Sequence, residues 1–338
     1  MKKNWLKISS IYVGTVIGAG FASGREIIEF FGIYGLKGIF GMTISGILFS
    51  ILGSLLLLKI YTNKINGFDD LLYKIFGKHL SQVLDIIIII SLYTGFSIMI
   101  SASGAIFKEE LGMAYSSGVF FMIILSFIIF LFNIEGLSFI NSILVPLLTI
   151  GIIFTAIYLN TMGEYDFYNI NGVNLSHKGN FFTSALLYVG SNSLIIIIVF
   201  SSLFPLINSR KNAITGGLVG GFILYILGLS ILLSMLIYYP NVINMDIPML
   251  KITNYISSNY RKFYALILWC AIFTTAIANG SSFVNRFSNN KNKLIVSGIF
   301  CIISIPLANI GFSKLISFIY PVFGLIGFFV LIFILVKL

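Results

Sequence analysis

Charge is scarce in this chain. Acidic and basic residues together make up 9% of its 338 residues, where a soluble domain carries about 25%. A water-exposed globular surface cannot be built from so few charges. Cysteine is nearly absent too. Cys270 and Cys301 both sit inside apolar runs, which excludes a disulfide framework or a zinc-ligand spacing. Histidine occurs twice, at His79 and His177, both in connections between apolar runs, so neither can act as a general base inside those runs. No HExxH is present, and "GFASG" departs from the GxSxG nucleophile elbow. A nucleotide-binding loop is missing as well, which argues against ATP-driven pumping. The expectation is a protein that is not an enzyme.

What is present is apolar. Hydrophobic residues make up 58% of the chain, and the mean hydropathy is +1.03. Runs of about 20 apolar residues, each long enough to cross roughly 30 Å of hydrocarbon as a helix, recur along the sequence. Ten spans are predicted, at 7–31, 36–60, 83–107, 113–133, 138–160, 181–206, 214–238, 262–286, 293–311 and 315–337. The fold class is therefore an all-α polytopic membrane protein. The opening "MKKNWLK" before an apolar run has the look of a signal peptide. It is read instead as the start of the first span, because the later spans then alternate sensibly.

The net charge of +10 has to be read against that topology. With the first residue inside, thirteen of the 21 basic residues fall on the inner side and seven on the outer, with Arg25 left in the first span. This asymmetry predicts that both termini are cytoplasmic. It also accounts for the basic balance without nucleic acid as a partner; the lipid bilayer is the partner. Two connections look structured. Residues 66–84, "NGFDDLLYKIFGKHLSQVL", space their apolar residues as an amphipathic surface helix does. Residues 244–258 predict a short outer helix with Asp246 as N-cap and Pro248 in its first turn. The polar stretch 161–180 divides a single transmembrane domain, 1–338, into two five-span halves, 1–160 and 181–338.

The first span contains an anomaly. "YVGTVIGAGFASGREIIEFF" places Gly14, Gly18, Gly20 and Gly24 within eleven residues, each about 1 kcal/mol weaker than Ala as a helix former. An unwound helix in lipid strands backbone amides and carbonyls at several kcal/mol each unless a cavity or ligand satisfies them. Interrupted spans at matching places of two repeated halves mark the binding site of many secondary transporters. Span 6 opens the second half with "LLYVGSNSLIII", where Gly190, Ser191, Asn192 and Ser193 interrupt an apolar run. Five spans per half imply an inverted repeat with helices 1 and 6 broken. A packing stripe is the competing reading, since Gly14-x-x-x-Gly18 and Gly20-x-x-x-Gly24 both match the close-packing pattern.

"VGTVIGAGFASGREI", in a ten-span chain of this length, resembles the YkvI-type bacterial membrane proteins. That family is placed in the amino acid–polyamine–cation superfamily with its LeuT-like five-plus-five fold. "GTVIGAG" is similar to the Gly-rich break of the neurotransmitter–sodium symporters. On that resemblance, the amides of Ala19, Gly20 and Phe21, just after Gly18, meet a substrate carboxylate, as free N–H groups at a helix N-terminus attract anions. The carbonyls of Gly14 and Ile17 would face a sodium ion. The same resemblance assigns the Ala271 carbonyl and the Thr274 and Thr275 hydroxyls to that ion. The competing reading is that both hydroxyls bond back to the preceding turn. A second sodium site is not implied, because Phe21 stands where those symporters carry an Asn.

The middles of the ten spans hold essentially no ionisable residue, and Arg25 has Glu26, Glu29, Glu109 and Glu110 as candidate partners. In proton-coupled relatives of the fold a span 5 lysine stands in for sodium, and span 5 here has none. Sodium is therefore the expected coupling ion, with no other cofactor. With no buried charge to recognise a charged side chain, the expected substrate is a small zwitterion, such as a neutral amino acid, moved by symport. Its expected walls are Gly18, Ala19, Gly20, Phe21, Tyr93, Ser97, Tyr188, Gly190 and Asn192; Tyr93 and Tyr188 serve equally well as packing aromatics. An amino-acid-sensing receptor subunit on the same fold is the rival reading.

Overall fold

A computed structural model describes residues 4–131, 137–162, 179–288 and 292–338. The first apolar run is split into α1 (Asn4–Val16), α2 (Ala19–Ser23) and α3 (Arg25–Phe30). There follow α4 (Lys37–Thr62), α5 (Phe68–Leu111), α6 (Tyr115–Leu131), α7 (Leu137–Met162) and α8 (Phe181–Ser201). The second half continues with α9 (Arg210–Ile237), α10 (Tyr239–Val242), α11 (Pro248–Asn254), α12 (Ser258–Phe287), α13 (Lys293–Ala308) and α14 (Phe312–Lys337). Among the described residues there is no strand. Among the described residues seven helices are long and apolar enough to cross a membrane, and α6 and α13 are shorter apolar helices. Most of the stretch 161–180 and His177 lie outside the described residues, as does the side chain of His79.

Helix boundaries follow local chemistry. Asn180 caps α8 through its side chain, which accepts from the amides of Phe182 and Thr183, while Thr183 returns a bond to the Asn180 amide. Such a box satisfies amides that a helix start leaves without acceptors. Ser209 and Ser257 cap α9 and α12 in the same manner. The surface helix expected over 66–84 is shorter, residues 68–76 at the start of α5; a kink at Gly77, whose φ of 64° needs glycine, joins residues 78–84 to the span instead. The expected outer helix is α11, but Asp246 does not cap it. Its carboxylate accepts from the amide and hydroxyl of Ser313 instead, and Ile247 stands at the cap position.

Two packed groups of helices emerge. In one, α4 lies along α9, with α1 packed on α9, α8 packed on α4, and α1 touching α8. Small residues let them approach: a side chain on Gly217 would meet the backbone of Ser54, and one on Gly53 would meet the Tyr12 ring at 2.8 Å. Tyr12 closes this seam by donating to the Phe49 carbonyl at 2.9 Å. In the other group, α5 and α12 lie together and pack on α6 and α13. α7 touches both groups, packing on α9 and α12, and α14 packs on α8 and α5.

One expectation is overturned here. α8 runs unbroken through Gly190–Ser193. The polar residues there stay helical because each bonds to the turn before it. Ser191 and Asn192 donate to the Tyr188 carbonyl at 2.8 and 3.1 Å, and Ser193 donates to Val189 at 2.7 Å. Such back-bonding removes the unsatisfied groups that a break was meant to explain. The irregularity comes later, at Ser202–Leu203 and the 3-10 turn Phe204–Leu206 that holds Pro205.

Candidate functional site

The interruption of the first span is present in the structure. Gly18 is extended, with φ −97° and ψ −175°. Its amide turns to the Val16 carbonyl at 2.8 Å, so the Gly14 carbonyl loses its regular helical donor. Helical bonding resumes with Ala22 donating to Gly18 at 3.0 Å. Gly24 then reverses the chain at φ 80°, where an added side chain would also strike Met235 and Met249, and α3 follows. Tyr264 of α12 fixes the intervening α2 by donating to the Ala22 carbonyl at 2.7 Å.

The break borders a cavity of about 320 Å³, within the range of small-molecule sites. One wall is the interrupted span, from Gly14 to Gly20 with Glu26. α8 adds Ser191 and Asn192, while α5 adds Ser91, Thr94 and Gly95. α7 adds Leu144, Val145 and Leu148. α12 adds Ala271, Thr275 and Asn279, and α14 adds Ile319, Tyr320 and Phe323. The space thus lies where the two helix groups face each other, lined by apolar side chains with a few hydroxyls and amides.

The expected site residues divide into those that reach this cavity and those that do not. Gly18, Ala19, Gly20 and Asn192 line it. Phe21 points elsewhere and is buried. Tyr93 donates to the Ile303 carbonyl at 2.9 Å and packs on Phe300, and Ser97 bonds back to Tyr93. Tyr188 is packed among Phe30, Phe31 and Phe49. Gly190 lies against α14, where an added side chain would come within 2.8 Å of the Gly324 carbonyl carbon. Of the residues assigned to sodium, Gly14, Ile17, Ala271 and Thr275 line the cavity, and Thr274 is buried beside it. Thr274 and Thr275 both donate to the Ala271 carbonyl, at 3.0 and 2.8 Å. A hydroxyl that donates in this manner keeps its oxygen lone pairs for a second contact.

Glu26 corrects the expectation of an uncharged interior. Its residue is 4% exposed, and it is the one charged residue among those that line the cavity. Its carboxylate folds back on Gly20: a side chain added at Gly20 would lie within 2.7 Å of the Glu26 carboxyl carbon. Tyr320 of α14 lines the same cavity. Arg25, next in sequence, faces away from it. Its guanidinium pairs with Glu29 at 2.9 Å and donates to the Ile243 and Met245 carbonyls. Sequence reasoning grouped Glu26 with Arg25's possible partners, because "GREIIEF" alone does not show that Gly24 rotates the two residues apart.

Arg25 belongs to a second polar cluster at the far ends of α5, α12 and α14. Glu109 accepts from the Asp246 amide at 3.0 Å, and Arg261 pairs with Glu110 at 2.5 Å. Arg261 also donates to the Glu109 carbonyl at 2.6 Å. Through the 243–247 segment these contacts tie α3 to α5 and α14.

No protein-family model matches the chain. The uncharacterized membrane protein YkvI of Bacillus subtilis is 33% identical over 327 residues, covering 95% of this chain and 92% of that protein. This chain belongs to the YkvI family. A second Bacillus subtilis protein, the uncharacterized protein YyaD, is 25% identical over 336 residues, 97% of this chain and 95% of its own length. Among solved structures, the inward-facing conformation of Mhp1 is similar, with a TM-score of 0.57 and 14% identity over 95% of this chain and 72% of that one. Mhp1 has the LeuT-like fold, so the similarity gives this YkvI-family chain that fold. With its seven apolar spanning helices, it is a multi-pass membrane protein.

Proposed function

We propose that this YkvI-family protein is a secondary transporter that moves a small zwitterionic solute of neutral amino acid size by alternating access. The observation that carries the reading is the cavity at the α1–α2 break. It lies between two separately packed helix groups, where relative motion of the groups would open it first to one side and then to the other. The LeuT-like fold supports the same reading, with spans arranged as a five-plus-five inverted repeat. The charge asymmetry supports a plasma-membrane location with both termini inside.

Sodium is the coupling ion in this proposal. Its ligands are the carbonyls of Gly14, Ile17 and Ala271 and the hydroxyls of Thr274 and Thr275, all hard oxygen donors that suit an alkali cation. The Gly14 carbonyl, released from its helical donor, supports this assignment. Purified protein in proteoliposomes tests it with radiolabelled neutral amino acids, with and without an inward sodium gradient. Uptake that rises with the gradient is expected. Binding without uptake under any gradient would overturn transport in favour of a sensing role.

A further inference from the structure

We infer that Glu26 is the receptor for a primary ammonium group of the substrate, so that ligands of this cavity are defined by an amine rather than by a carboxylate. The inference rests on the cavity being the transport site proposed above.

Three observations carry it. First, the carboxylate is inside the cavity, because Gly20 has no side chain to exclude it. Second, it has no cationic neighbour there. Arg25 is committed to Glu29 and to two backbone carbonyls, and among the described residues no Lys, Arg or His lines the space. Tyr320 shares the cavity wall with it, but a neutral hydroxyl cannot neutralise a carboxylate. A buried carboxylate without a counter-charge is strongly disfavoured, and a ligand that brings a positive group relieves that cost. Third, the corner beside Gly20, where a solute carboxylate was expected to dock on free amides, already holds an anion. A second carboxylate there would be repelled, while an ammonium would bridge to it with a charge-assisted hydrogen bond.

Matched probes separate these chemistries: L-leucine, its decarboxylated amine 3-methylbutylamine, and its deaminated acid 4-methylpentanoate. A wider set of amine and acid pairs built on the other neutral amino acids extends the panel. Thermal shift and calorimetric titration of the purified full-length protein at pH 7.5 supply the readout. Amino acids and amines should bind, and the acids should not. Glu26→Gln should lower the affinity of both amine-bearing classes at least tenfold, while its ligand-free melting temperature stays level or rises as the uncompensated charge is removed. Glu26→Asp, which keeps the charge, should retain part of the affinity and serves as the test if the glutamine variant fails to fold. Acids that bind as well as their amines, or affinity unchanged in Glu26→Gln, would overturn the ammonium assignment alone. No binding by any member of the panel would overturn the transport-site reading and this inference with it.

Discussion

Gly190 offers a sharp test of how glycine is used in this fold. An added β-carbon there would lie 2.8 Å from the Gly324 carbonyl carbon and 2.9 Å from the β-carbon of Phe328, against the 3.4 Å at which such contacts become ordinary. The obstacle is helix backbone, so a side-chain rotation cannot relieve it. The seam is reciprocal: a β-carbon on Gly324 would lie 3.0 Å from the Leu187 carbonyl carbon, and one on Gly327 would lie 3.1 Å from that of Gly190. Gly190→Ala therefore forces α14 away from α8 along about a turn of helix. Overpacking of this kind costs about 1–3 kcal/mol. Gly18 supplies the contrast, because its added β-carbon meets nothing within 4 Å and its φ is negative. Thermal unfolding in detergent should show Gly190→Ala lowered by several degrees and Gly18→Ala level with the parent. A Gly190→Ala protein that melts normally yet fails to bind solute would refute the seam and return Gly190 to the substrate site.

Three other variants probe the remaining claims. Thr275→Ala combined with Thr274→Ala should reduce the sodium dependence of uptake at least tenfold; an unchanged sodium response would remove both residues from the ion site. Arg25→Met breaks a buried pair and strands two carbonyls that accept from the guanidinium. It should cost about 3 kcal/mol, read as a lower melting temperature, and an unchanged one would refute the cluster's role in holding α3 against the 243–247 segment. Asp70 tests acid sensitivity at the start of α5. Its carboxylate accepts from the Asn66 amide and from Lys74, and these contacts hold its pKa below the ordinary value. The charged form is the one the fold favours, so the support is present above that ordinary value and is lost as the pH falls beneath it. Hydrogen-exchange protection of the first turn of α5 should fall with it, and Asp70→Asn should remove the pH dependence.

Much of the fold was legible because hydrophobic length is a strong signal in lipid. Each of the ten expected spans coincides with a helix or, for the first, with a broken series of helices. The site was harder to read. Its walls come from six spans that are distant in sequence, and nothing in "SLYTGFSIM" says that Ser91 and Thr94 face the cavity while Tyr93 reaches a carbonyl of α13 and Ser97 bonds back to its own helix. Those pairs are separated by helical rotation alone, and one sequence does not fix its phase. Glu26 escaped for a related reason. A turn at a single glycine decides whether an acidic residue joins its neighbour's ion pair or enters a binding space.

The two glycine-bearing stretches show why composition alone misleads. "GTVIGAG" and "VGSNS" have similar helix propensities, yet the first unwinds and the second does not. What differs is what surrounds each. Around Gly18 there is open space, so an extended residue there places freed backbone groups against a cavity that can accommodate them. Around Gly190 there is another helix's backbone, so the missing side chain permits contact rather than unwinding. Its polar neighbours satisfy themselves on the turn before. A break in lipid needs a cavity beside it to satisfy its groups. Where a glycine meets a packed helix instead, close approach is the stabilising use, and α8 remains a rigid wall facing the interrupted span.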